Sequence, residues 1–268
     1  MASRLRRGLA AVAAPALVFL VPLKEDPGDP RLGLARCDDA AACAQLRRDG
    51  FAVIPLAAVG RAATYELATT LDSARLRRAA VEVTAGRLHL ELTRRRDADA
   101  RDIVATIDAR VAPPLRALAA RYLETDRVRL TQAQFLDSAP GAVAQHWHRD
   151  NARPGVTFLV PLENIDVAMG PTELLPTSHS EGGAPASETR LLRCAPLGVD
   201  DVLVYDARLL HRGGANASET KRRVLVLRFD DPKTPPPGVG AAGSLLQRAT
   251  GGLWSRAAGV LHDVRGEA

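Results

Sequence analysis

The sequence predicts a mainly β domain, a sandwich or barrel with flanking helices, and three observations carry that expectation. Six short runs rich in leucine and β-branched residues (VRLTQAQFL, GVTFLVPL, TELLP, ETRLLRC, DVLVYD and RRVLVLRFD) follow one another from Val128 to Asp230, divided by Gly, Pro, Asp and Asn. The preceding stretch, from Asp38 to Glu124, has mostly helical spacing. The chain has 268 residues, of which 46% are hydrophobic, enough for one sizeable core in a single domain.

Residues 1–30 read as an N-terminal extension. Arg4, Arg6 and Arg7 precede an apolar run from Gly8 to Leu23, with no acid before Glu25. That pattern fits a transit or secretory segment, and equally an extension packed on the domain. The run is short for a membrane span and carries Pro15 and Pro22, so no stable membrane insertion is expected. The localisation is left open by the sequence, with the cytoplasm or an organelle as the expectation.

The domain is expected over residues 31–232. Asp38–Arg48 has helical spacing, and DGFAVIPL after it turns into a first strand. Ala57 to Ala80 is compatible with a long helix, and Val81–Val83 with Leu88, Leu90 and Leu92 makes a hairpin about Ala85-Gly86. A second helical stretch, Ala98–Glu124, should break or kink at Pro113-Pro114, since proline lacks the N–H donor and bars its predecessor from helical dihedrals. The six strand-like runs come next. Residues 233–268 form a Pro/Gly-rich linker and a tail with loosely helical apolar spacing, expected to pack on the body.

The net charge is +5, almost all of it from arginine, with lysine only at positions 24, 221 and 233. The charge is spread along the chain and aromatics are only 4% of residues, so stacking platforms are scarce and no nucleic-acid partner is expected. Cys37, Cys43 and Cys194 are odd in number and lack the paired CxxC spacing of a zinc site.

The chemically loaded segment is Gln145-His146-Trp147-His148-Arg149-Asp150. On an extended strand alternate residues share a face, so His148 and Asp150 can address one ion. Imidazole plus carboxylate suits a divalent ion such as Fe(II), and a second histidine would complete a face of three ligands with three positions open. His211, in DARLLHRGGANAS, is a suitable third ligand, far enough downstream to lie on an opposing strand. Spacing alone also permits a set containing His146 and His148, which would suit zinc or copper better.

Arg222 and Arg223 open the apolar strand after His211. An arginine at the start of a buried strand needs a buried anion, which a dicarboxylate would supply to its two-pronged guanidinium. Alternation allows either arginine. Gln132 and Gln134 share a face of the strand before the metal motif, and Gln134, with Thr157 on the next strand as a weaker candidate, is the expected cofactor or substrate contact. Arg149, Arg153 and Arg212 are expected in solvent, His89 and His262 as structural or exposed, and the Asn216-Ala217-Ser218 sequon as a coincidence in a loop.

Taken in order, DGFAVIP, HWHRD, MGPTELLPTSHS and DVLVYDARLLHRGGANASETKRR resemble the phytanoyl-CoA dioxygenase family of Fe(II)/2-oxoglutarate oxygenases, over roughly residues 49–229. The resemblance implies a double-stranded β-helix, a cupin-like jelly roll. It implies iron on His148, Asp150 and His211, and it selects Arg222, eleven positions after His211, for the distal carboxylate of 2-oxoglutarate. It implies dioxygen as oxidant, ascorbate as a supporting reductant, and hydroxylation of a small-molecule substrate. Asp150 is present where halogenating relatives lack the carboxylate. Met169 and Thr177 depart from the family's usual Asn and Gly. Two other readings stay open at this point: a binding protein that keeps the barrel without turnover, and a cupin-like metalloenzyme with no use for 2-oxoglutarate.

Overall fold

The computed structural model describes residues 38–71, 80–95, 97–180 and 191–233. The N-terminal extension, Cys37, the Pro/Gly linker beyond Lys233 and the apolar tail with His262 lie outside the described residues. Among the described residues, no helix is long and apolar enough to cross a membrane.

Helix α1 (Asp39–Asp49) is capped by Asp38, whose carboxylate accepts from the Ala40 and Ala41 N–H groups, and it ends at Gly50 in the left-handed conformation. It leads into strand β1 (Phe51–Pro55). Helix α2 (Ala58–Leu71) follows, then the hairpin of β2 (Val81–Thr84) and β3 (Arg87–Glu91) about the expected Ala85-Gly86 turn. Helix α3 (Ala98–Thr106) does not break at the prolines. It passes through a π turn at Ile107–Val111 into α4 (Ala112–Leu123), so Pro113 and Pro114 fall in a first turn, where the missing N–H groups are not required.

Strands β4 (Arg129–Ser138), β5 (Val156–Pro161), β8 (Asp201–Asp206) and β10 (Arg222–Asp230) form a seven-stranded antiparallel sheet with β1, β2 and β3, in the order β1-β8-β5-β10-β4-β3-β2. The short strands β6 (Thr172–Leu174), β7 (Leu192–Arg193) and β9 (His211–Gly213) make a second sheet in the order β7-β6-β9. Five of the six predicted runs appear at or close to their expected places. ETRLLRC contributes only two described residues, and β9 was not foreseen.

Period-two alternation sorts the large sheet into two faces. Val156, Phe158, Val160, Val202, Val204, Leu225, Leu227 and Phe229 pack under the helices with Leu46, Leu67, Ile103, Ile107, Leu115 and Leu118. Phe51, Val53, Leu159, Leu203, Val224 and Val226 point the other way, towards Leu174, Cys194 and Leu209 of the small sheet. Burial on both faces explains why these strands read as nearly continuous apolar runs. The helix-clad face holds the sheet rigid, while the inner face carries the polar residues on which function depends.

Thr177 has φ 66°, the left-handed region that a β-branched residue adopts at a cost. Its N–H is held by Asp49 O at 2.8 Å, which keeps it there. Thr177→Gly is therefore expected to stabilise the fold by about 1 kcal/mol, read as a raised urea midpoint at constant slope. A lower midpoint would show that the Thr177 side chain contributes more than its backbone costs.

Candidate metal centre

His148 and His211 face each other across an isolated antiparallel bridge. His148 N donates to His211 O at 3.0 Å and His211 N to His148 O at 2.9 Å, a paired geometry that puts both side chains on one face. Their ring centroids are 4.3 Å apart. Asp150 completes the group: one ligand atom from each of His148, Asp150 and His211 lies within 4.8 Å of the others. The expected regular strand through Gln145–Asp150 is absent. The segment is extended but irregular, and the single bridge to β9 replaces a ladder.

Each ligand is aimed by a second bond. Nδ1 of His148 donates to His146 O at 2.9 Å, and Nδ1 of His211 to Leu209 O at 3.0 Å, so each Nε2 carries its ring's lone pair, that of His211 accepting from the Tyr205 hydroxyl at 3.3 Å. Thr157 donates to Asp150 Oδ2 at 2.7 Å, and Asp150 Oδ1 lies 3.6 Å from His211 Nε2. Burial works against the Asp150 charge, but His211 and the Thr157 bond outweigh it, and its carboxyl is held below the usual range. Burial pulls the His211 imidazole down towards its neutral form against the attraction of Asp150. Neutral imidazole and charged carboxylate are the forms that bind metal.

Among the described residues, this trio is the one group of histidine, cysteine and acidic side chains placed to hold a metal, and His146 is not in it. His146 contributes its carbonyl rather than its ring. Thr157 is fully buried, and its hydroxyl is spent on Asp150, so it orients a ligand where a cofactor contact was expected. Gln134 lines both cavities beside the trio. Arg223 turns away to Glu163 at 2.9 Å, while Arg222 is buried and lines the narrower cavity.

The narrower cavity, of about 70 Å³, runs from His148, Asp150 and His211 to Arg222, past His89, Gln134 and Tyr205. Among the described residues, two buried polar atoms on its wall find no hydrogen-bond partner: Nε of Arg222 and Nε2 of His89. Burial, reinforced by Arg87, lowers the Arg222 pKa to about 9. Burial, with His148 and Arg87, lowers that of His89 to about 4, so His89 is neutral. The donor set therefore fits a ligand rich in acceptors, with a carboxylate at the Arg222 end. His89 was missed as a site residue. Its signal was the alternation Arg87-x-His89-x-Glu91, in which the leucines between them share the opposite face of β3.

The larger cavity, of about 630 Å³, opens beside His148 and Asp150 and is walled by Arg94, Thr131, Gln132, Gln134, Asn151 and Arg228. A bulge between Arg228 and Phe229 breaks the register at Thr131, so Thr131 and Gln132 both reach this wall. Asn151 is 5% exposed, and neither of its side-chain amide atoms has a partner among the described residues. Arg149 and Arg212 are not simply solvated. Arg149 donates to Ser178 O and Arg208 O, and Arg212 bonds Glu173 at 2.6 Å while lying 4.8 Å from the Trp147 ring centroid. Asn216 is 1% exposed, with its amide donating to Ser138 O and Thr220 O, so it fastens the loop after β9.

A jelly roll that converges two histidines and a carboxylate on one cavity, with an inward arginine at its far end, defines a class of non-haem metalloenzymes. The chain belongs to the phytanoyl-CoA dioxygenase (PhyH) family, whose profile it matches over residues 32–224, and with that membership goes an oxygenase-type enzyme function. Dioxygenase hkm4 of Aspergillus hancockii is 30% identical over 112 residues, which is 37% of each chain, so the match spans well under two thirds of that relative. Among solved structures, AviO1 from Streptomyces viridochromogenes Tue57 is similar at TM-score 0.57 and 26% identity, covering 75% of this chain and 99% of that one. SnoN, a non-heme alpha ketoglutarate dependent epimerase from nogalamycin biosynthesis, is similar at TM-score 0.59 and 21% identity, covering 72% and 82%. HygX from Streptomyces hygroscopicus, solved with nickel and 2-oxoglutarate, is similar at TM-score 0.55 and 16% identity, covering 72% and 87%.

Proposed function

We propose that this protein is an Fe(II)/2-oxoglutarate-dependent hydroxylase of a small polar molecule. The observation that carries the reading is one narrow cavity with the His148-Asp150-His211 trio at one end and Arg222, its Nε without a partner, at the other. His148, Asp150 and His211 would hold the iron, and Arg222 the distal carboxylate of 2-oxoglutarate. When bound, iron and 2-oxoglutarate supply the oxidation of a C–H bond by dioxygen, with release of succinate and carbon dioxide.

The chain's own part is placement. Thr157 and the carbonyls of His146 and Leu209 fix the three ligand atoms. The apolar walls Leu136, Leu159, Val224 and Val226 limit water in the narrow cavity. The larger cavity then receives the substrate against Gln132, Gln134, Asn151 and Thr131, groups that offer both donors and acceptors. That wall suits a molecule rich in hydroxyl or amide groups better than an acyl chain.

The fold does not choose the outcome of C–H activation, since SnoN is described as an epimerase and SnoK as a carbocyclase. Hydroxylation is favoured by the larger cavity's described lining. It offers no tyrosine or cysteine to return a hydrogen atom to a substrate radical. Tyr205, the phenol nearest the trio, lines the narrow cavity instead and donates to His211 Nε2 at 3.3 Å.

The test is succinate formation by the purified protein with Fe(II), ascorbate and 2-oxoglutarate, without substrate. Iron-dependent succinate is expected, and Arg222→Ala should raise the 2-oxoglutarate concentration it requires by about 10-fold or more while iron is still bound. No succinate, together with no binding of 2-oxoglutarate, would move the reading to a binding protein on the same barrel.

A further inference from the structure

Three arginines line the larger cavity, against one acid among its described lining residues, Asp150, which belongs to the metal trio. Arg228 is neutralised by Asp230, 3.1 Å away. Arg149 donates to Ser178 O and Arg208 O, which are neutral acceptors. Arg94 makes no hydrogen bond or ion pair with any described residue. It is exposed as well as lining the cavity, so it stands at the rim.

The chain around Arg94 is fixed, and its neighbours' charges are already spent. Arg95 N donates to Leu92 O at 3.1 Å and closes a turn between β3 and α3. The two acids nearest in sequence are both engaged: Asp97 accepts from Arg95 Nε at 2.8 Å, and Glu91 accepts from Thr93 and, at 2.8 Å, from Gln132 Nε2. The bond from Gln132 also ties this turn to the cavity wall on β4. Taken singly, an exposed arginine is ordinary and is satisfied by water. Here it shares a concave wall with Arg149, so two of the three lining guanidinium groups have no acidic counterpart among the described residues. A cleft lined by one sign of charge concentrates the field and draws in ligands of the other sign. Arg222 is not on this wall, so a dicarboxylate in the narrow cavity would leave the imbalance in place.

We propose that the substrate is an anion, a small polar molecule whose carboxylate or phosphate group is held by Arg94 at the rim of the larger cavity while the rest of it reaches inward to the trio. This rests on the reading of the trio and the narrow cavity as an oxygenase centre. The cavity, of about 630 Å³, has room for one such molecule. The planar guanidinium offers the paired donors that either oxyanion accepts. Arg149 supplies field without direct contact, because its Nη1 is held by the two carbonyls. Arg94 is thus a specificity-determining residue: it selects for charge at one end of the substrate, and Thr131, Gln132 and Gln134 offer hydrogen bonds to the remainder.

The experiment is an NMR titration of the full chain carrying Zn(II), which does not turn over, with saturating 2-oxoglutarate to fill the narrow cavity. The probes are ethyl phosphate, butanoate and butanamide, the last being the neutral counterpart of butanoate. At least one of the two anions should bind about 10-fold more tightly than butanamide, and the tighter one names the oxyanion. Arg94→Gln should weaken that anion by about 10-fold and leave butanamide unchanged, while Arg94→Lys should keep most of the preference, since it keeps the charge. Arg94 has no described bond to lose, so both variants are expected to fold. An anion bound as tightly by Arg94→Gln as by the wild type would overturn the proposal, as would a wild type that prefers neither anion to butanamide. Equal weakening of butanoate and butanamide would also overturn it, because Arg94 would then only shape the wall. Failure of the wild type to bind 2-oxoglutarate, read in a separate titration, would instead sink the reading of the narrow cavity; the comparison of wild type with Arg94→Gln would still decide the role of Arg94.

Discussion

Asp150→Ala is expected to abolish iron-dependent succinate formation, with a loss greater than about 100-fold, because it removes a ligand and its charge together; disturbing the groups that merely orient a ligand already costs about 10- to 100-fold. Of the three groups placed to hold the metal, Asp150 alone is anionic, and His211 and His148 would be left as two neutral donors. Arg228 donates to the main-chain oxygen of Asp150 at 2.9 Å, a bond the substitution keeps, so the segment should hold its course. Thr157 loses its acceptor and the fold pays modestly for one buried hydroxyl, about 1–3 kcal/mol. The check is succinate yield alongside bound iron, with folding followed by circular dichroism. Wild-type succinate production by a folded Asp150→Ala protein would refute the ligand assignment.

Asp230→Ala is expected to destabilise the protein by about 3–5 kcal/mol, the cost of leaving one member of a buried ion pair without its counter-charge. Arg228 is 4% exposed and Asp230 is fully buried, with 3.1 Å between Arg228 Nε and Asp230 Oδ2. Asp230 also accepts from Thr131, at the bulge that shapes the larger cavity. The loss would appear as a lower urea midpoint with unchanged slope. Pairing Asp230→Ala with Arg228→Met should return part of the loss, since it removes the stranded charge. A shift below about 1 kcal/mol would mean that Arg228 finds compensation elsewhere, for example through Asp150 O.

The two predictions meet on the inner face of the large sheet, and that face also shows how far the sequence could be read. The short apolar runs VTFLVP and RRVLVLRF, bounded by turn residues, announced strands. The hairpin about Ala85-Gly86 and the helix before Phe51 were signalled by apolar spacing and local turn chemistry. The spacing of His148 and Asp150 was legible because period two keeps alternate residues on one face, even though the segment is irregular rather than a strand.

Other features were beyond local reading. Thr157 was expected at the cofactor and instead orients Asp150, a choice made by the packing of β5 against the metal segment. Arg87 and His89 lie in a run whose leucines suggested a simple hairpin, and whose polar face turns inward only because β3 adds to the edge of β4. Arg149 and Arg212 gave no sign of their partners, since Ser178, Arg208 and Glu173 are remote in sequence.

By itself the sequence determined the order of most strands along the chain and the placement of His148 and Asp150 on one face, because these follow from residue type and short-range periodicity, whereas the full set with His211 was implied by the family resemblance. Tertiary structure alone decided that β9 would set His211 opposite His148, and that Ser138 would stand between Arg87 and Arg222. Such pairings depend on strand register between segments far apart in the chain, and a shift of one residue would turn every one of these side chains to the opposite face.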